Sequence, residues 1–164
     1  METIETLIPD NEDNHLVVVL YFYDDNDKTG TFQIPQEFAA LDIADININK
    51  LDLNKPLGLK AFFEMCNWLF NQFLLYPNAV FSFICSTDPL DSRHIDILPE
   101  LYRWNLFESF YIRYQNKMED LGIRSKGIIV GPDGYQTYAR VFYRDRHSSI
   151  IHIVVAHLNS KYSE

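Results

Sequence analysis

The run Leu16-Val-Val-Val-Leu-Tyr-Phe-Tyr23 constrains this chain more than any other segment. Its β-branched and aromatic residues favour extended backbone, and successive side chains of a strand point to opposite faces. Both faces are apolar here, so both must be covered, and the segment is predicted to be an internal strand of a layered sheet. It is too short to cross a bilayer, and no run of 18 or more apolar residues occurs elsewhere in the sequence. A chain of 164 residues, 47% hydrophobic, is the size of one ordinary domain and long enough to bury a core.

Around this strand, periodicity and turn residues give an order of elements. Residues 1–14 are polar and acidic and read as a flexible arm, with residues 15–164 forming a single domain. Asp24 to Gly30 reads as a turn and Thr31–Ile34 as a returning strand, making a hairpin. Ile46 and Ile48 alternate with asparagines, which suggests a short edge strand. Asn54-Lys55-Pro56 is a helix-start signal, followed by an apolar stripe (Leu59, Phe62, Phe63, Cys66, Leu69, Phe70, Phe73) that runs to Tyr76. Ala79 to Cys85 alternates as a strand. A second helix is predicted from Pro99 to Leu121, with Gly122 placed for a left-handed cap. Gly127–Val130, Tyr135–Tyr143 and Ser149–His157 read as a three-stranded meander, its first turn being Gly131-Pro132-Asp133-Gly134. The expected fold is an α+β domain, two main helices packed on a mainly antiparallel sheet in the order ββ(β)-α-β-α-βββ.

Charge is divided unevenly. The formal net charge of -9 belongs entirely to residues 1–82, while residues 83–164 are neutral and hold all seven arginines. Nucleic-acid binders need a basic face for phosphate contact, so the acidic balance, with Asp120, Asp133 and Asp145 interleaved among the bases, speaks against that class. An acidic start unlike a signal peptide, and two cysteines (Cys66, Cys85) without metal or disulfide spacing, place the chain in a reducing cytoplasm. No membrane association and no cofactor are expected.

Three constellations carry potential chemistry. Asp25, Asp27 and Thr29, with Gly30 at the sixth position, match the first half of a calcium loop, but Gln36 stands where a bidentate carboxylate belongs, so no metal site is assigned. Cys85, Ser86, Thr87 and Asp88, with Asp91, Arg93 and His94, follow a strand end, where rigid scaffolds often position reactive groups; the same residue types also end strands and cap helices. In the last hairpin Tyr138, Arg140, Phe142 and Arg144 share a face with Ile151, Ile153, Val155 and His157, and Tyr and Arg are the residue types that concentrate binding energy. His152 and His157, five apart on a strand, would point to opposite faces. No zinc-protease, dinucleotide, phosphate-loop or nucleophile-elbow motif is present.

A strand ending in Phe83-Ile84-Cys85-Ser86, then Asp91 and Arg93, then a helix with Tyr102-Arg103-Trp104 and Phe107, resembles an uncharacterised family of small bacterial proteins, a domain of unknown function. The resemblance spans Phe81 to Phe110, about a fifth of the chain. It implies a small cytoplasmic bacterial α+β protein of the kind encoded near mobile elements or defence genes, and it assigns no catalytic residue.

Two functions follow as expectations. The first is a non-enzymatic protein–protein interaction module, with an antitoxin, immunity or defence role, docking on a protein partner or a second copy through the C-terminal meander. The alternative is an enzyme or binding protein for a small anionic or nucleotide-like ligand in a pocket lined by arginines. Arg93, His94, Arg103, Tyr138, Arg140, Phe142, Arg144 and His157 are the candidate binding residues, and none is assigned a catalytic role.

Overall fold

In a computed structural model, which describes residues 2–10, 14–30, 32–50, 58–86 and 98–161, the apolar run forms β2 (His15–Phe22) and has a strand on either side. β1 (Glu2–Pro9) pairs with it antiparallel from Glu2↔Phe22 to Pro9↔His15. β3 (Asp42–Lys50) pairs antiparallel on its other edge. β3 then lies parallel to β4 (Ala79–Ile84), and β4 is antiparallel to β6 (Thr137–Arg144), which pairs with β5 (Ile123–Val130). Among the described residues the sheet has six strands in the order β1-β2-β3-β4-β6-β5. It is mixed but mainly antiparallel, and the domain is α+β.

Both faces are covered, as the two-sided run requires. On one face lie α2 (Leu59–Leu75) and α3 (Pro99–Asp120), which bring Phe62, Met65, Leu69, Phe73, Phe110 and Met118 into one core with Val18, Leu20, Phe81 and Phe142 of the sheet. On the other lies α4 (Ile151–Lys161), entered through a 3₁₀ turn over Asp145–Ile150. Its Ile151, Val154 and Leu158 pack with Ile43, Val80, Ala139 and Val141. A short helix, α1 (Asp25–Gly30), and the segment carrying Phe32 and Leu41 complete this second layer.

α2, β4 and α3 fall on the segments where the sequence pattern places two helices and the strand between them, and Gly122 adopts φ +73 just after α3. Elsewhere the structure departs from it. Residues 2–9, expected to be an arm, are a strand, because the otherwise open edge of β2 takes a backbone partner there. Of the expected returning strand, Thr31 lies outside the described residues and Phe32–Ile34 does not run as a strand beside β2; α1 occupies the expected turn, and Phe32 and Ile34 pack over the second core. The helix start at 54–56 falls outside the described residues; α2 begins at Leu59, which is 73% exposed and off the buried stripe. β5 starts at Ile123, not Gly127. In the turn that follows, the Tyr135 amide donates to the Pro132 carbonyl, one residue later than the predicted register, with Gly131 and Gly134 at φ +102 and +84.

The largest correction concerns Ser149–His157. This segment is not the third strand of a meander but a 3₁₀ turn and α4. Its β-branched residues favour a strand by local propensity. Ile151, Val154 and Leu158 nevertheless sit at helical spacing, and burying all three on the open sheet face outweighs that preference. His152 and His157 are consequently helical residues, with His157 against Tyr23 and Phe32.

Candidate ligand cleft

β3 and β4 are paired only from Asp42↔Ala79 to Asp45↔Ser82. Beyond that rung each strand follows its other neighbour. β3 stays with β2 through Leu16↔Lys50. β4 turns to β6, where Phe83 faces Arg140 and Ile84 faces Ala139. The Cys85 amide donates to the Tyr138 carbonyl at 2.8 Å, and the Thr137 hydroxyl donates to the Cys85 carbonyl at 2.7 Å. Two parallel strands therefore fork at their carboxyl ends. The fork opens a cleft of about 510 Å³, within the range of small-molecule sites. Crevices outside the carboxyl ends of parallel strands are where α/β sheets commonly take ligands.

The cleft has two unlike sides. Ile46, Ile48 and Phe83 belong to the apolar layer beneath α3, and Phe107 of α3 stacks on Phe83, their ring centroids 3.9 Å apart. Arg103, one α3 turn before Phe107, lines the same cleft and donates to the Ser86 carbonyl at 2.7 Å. On the strand face away from α3, β3 contributes Asn47 and Asn49, both exposed. The end of the β5–β6 turn adds Tyr135 to the lining. At the root of the fork the Asp45 carboxylate accepts from the Tyr23 hydroxyl at 2.6 Å and from the Ser82 hydroxyl at 3.0 Å.

α3 is held over the cleft by Arg140. Its guanidinium lies between the Trp104 and Tyr111 rings, 4.9 and 4.5 Å from their centroids, and pairs with Glu108 and Ser125. Trp104 reaches the sheet because Gly127 has no side chain; a Cβ there would sit 2.9 Å from the indole. Arg144 donates to the carbonyls of Phe73 and Leu121, near the ends of α2 and α3, where unsatisfied carbonyls collect. Burial lowers the affinity of both guanidinium groups for their proton, in Arg144 with the neighbouring Arg146 acting in the same direction.

The structure thus separates the candidate residues. Arg103 lies in the cleft. Tyr138, Arg140, Phe142 and Arg144 do share one face of β6, but that face is packed beneath α2 and α3. His157 lies across the sheet, and Arg93 and His94 fall outside the described residues, as do Thr87, Asp88 and Asp91. Of the Cys85–Asp91 constellation, Cys85 and Ser86 are at the cleft. Burial pushes the Cys85 thiol up to about 12, against the opposing charge of Arg103 and with a smaller push from Glu100, so Cys85 is held as a neutral thiol. Asp25 lies on α1 and pairs with Lys28 at 3.0 Å. Among the described residues no group of three or more His, Cys, Asp or Glu is arranged to hold a metal ion, and no helix is long and apolar enough to cross a membrane.

Sequence reasoning does not single out Asn47, Asn49 or Tyr135 as site residues. A signal for the first two exists in the alternation of Ile and Asn, which suggests an edge strand. β3 is internal over Asp42–Asp45, yet beyond Asp45 its β4-facing side has no strand partner among the described residues, so the edge-like pattern falls on the half that lines the cleft. No family model matches the chain, and no curated protein matches it.

Proposed function

We propose that this protein binds an extended small molecule carrying amide groups and an anionic group, laid in the cleft between β3 and β4. The observation that supports this most is the fork itself. Where parallel pairing stops after Asp45↔Ser82, Ile46–Asn49 of β3 and Ile84 of β4 line a gap between strands that are no longer paired with each other. An extended ligand with secondary amides satisfies such edges as an added strand would. Asn47 and Asn49 supply further donors and acceptors, Phe83 and Phe107 an apolar wall, and Arg103 a planar donor suited to phosphate or carboxylate. Of the arginine-lined pocket expected for an anionic ligand, Arg103 is the one arginine among the described residues that lines this cleft, while Arg140 and Arg144 are engaged in packing α3 and α2 on the sheet. Docking through the C-terminal meander would instead use β6 faces that are covered by α2, α3 and α4.

Calorimetric titration with phosphopantetheine, an extended chain with two secondary amides and a phosphate, tests the proposal. Saturable binding is expected, abolished by Asn49→Trp, which plugs the cleft from an exposed position, and weakened about tenfold by Arg103→Gln, since a hydrogen bond to a charged group contributes about 1.5 kcal/mol or more. Absence of binding, or equal binding to the plugged variant, would overturn it.

A further inference from the structure

We infer that Tyr135 is a stacking platform for a planar ring, so that the ligand of the cleft carries a nucleobase-like group beside its anionic one. This rests on the cleft as a ligand site and adds a substrate class to it. Tyr135 lines the cleft yet is 83% exposed, more than any other large apolar side chain among the described residues. It is presented by a turn of defined shape. The Tyr135 amide donates to the Pro132 carbonyl at 3.0 Å, and Gly131, at φ +102, lies so close that a Cβ would sit 2.7 Å from the Tyr135 carbonyl oxygen. Two residues on, Thr137 is tied to the Cys85 carbonyl, so the strand leaving the turn is anchored at the cleft wall. An aromatic ring held in water on an anchored support, with a guanidinium lining the same cleft, matches the paired requirements of a nucleotide: a π-face for the base and a planar donor for the phosphate.

The test compares three probes on the wild-type protein, Tyr135→Ala and Tyr135→Phe: coenzyme A, with arm, phosphates and adenine; phosphopantetheine, without the ring; and ADP, without the arm. The exposed position makes both variants compatible with folding, which thermal melting checks. Coenzyme A is expected to bind at least about tenfold tighter than phosphopantetheine, with that ratio falling about tenfold in Tyr135→Ala and kept in Tyr135→Phe. An unchanged ratio in Tyr135→Ala, whether both affinities hold or both fall together, overturns the platform while leaving the amide-bearing ligand in place. Binding of ADP that depends on Tyr135, with no binding of phosphopantetheine, supports the platform and overturns the amide-bearing ligand. Failure of all three probes overturns both.

Discussion

The Thr137 hydroxyl donates to the Cys85 carbonyl oxygen at 2.7 Å, and this bond holds the end of β4 against β6, away from β3. Both residues are buried. Without the hydroxyl, the Cys85 carbonyl loses its side-chain donor in a place water does not easily reach. Thr137→Val should therefore lower stability by about 1–2 kcal/mol, and Thr137→Ser should recover most of it. Urea unfolding of the three proteins measures this; equal midpoints would show that the bond carries no weight.

Arg140 joins α3 to β6 through two aromatic faces and the Glu108 carboxylate. Lysine keeps the charge but loses the flat guanidinium that fits between Trp104 and Tyr111. Glu108 is 29% exposed at its side chain, so water can still solvate it once the pair is broken, which moderates the penalty. Arg140→Lys is expected to cost about 2 kcal/mol, below the roughly 3–5 kcal/mol typical of breaking a fully buried pair. Denaturant unfolding checks the value, and weaker cleft binding should accompany it, since α3 carries Arg103 and Phe107.

Gly131 combines a left-handed backbone with a space too small for a methyl group. Gly131→Ala should destabilise by about 1–3 kcal/mol and displace Tyr135. Gly134, also left-handed but with open space around it, should lose only through its φ and tolerate Asn. Melting temperatures of the two variants should separate clearly, the Gly131 variant lying lower.

His147 is buried against Phe38, and burial, followed by the nearby Arg146 and Arg144, lowers its pKa below the ordinary 6.5. The unfolded chain then binds a proton at His147 that the native protein resists. Stability from this residue is complete above about pH 7 and is lost as pH falls through about 6.5 and below. The fall in stability between about pH 7 and pH 5 should be shallower in His147→Gln than in the wild type; identical slopes would remove His147 as a source.

Thiol chemistry gives a simple check on packing. Burial pushes both Cys66 and Cys85 up to about 12, so neither forms appreciable thiolate near neutral pH. A disulfide reagent should label neither cysteine in the native protein and both after unfolding. Because the folded state keeps these protons longer than the unfolded one, the same groups erode stability as pH rises from about 9 toward 12.

The amino-acid sequence determined those parts of the protein whose signals are local. The two-sided apolar run made β2 internal, helical stripes placed most of α2 and α3, alternation placed β4, and Gly122 marked a left-handed cap. Cys85 and Ser86 stand out as possible reactive groups just past a strand end, and Arg103 as an arginine of the second helix. What only the tertiary structure decided depends on partners distant in the chain. Residues 2–9 become a strand because β2 offers an edge. Residues 151–161 become a helix, against their β-branched composition, because a sheet face needs Ile151, Val154 and Leu158 together. The cleft arises in the same way, since no local pattern records that β3 keeps to β2 while β4 leaves with β6. Asn47, Asn49 and Tyr135 acquire a common site only from that divergence, because strand pairing, unlike helical periodicity, is chosen by the competition of several edges for one backbone.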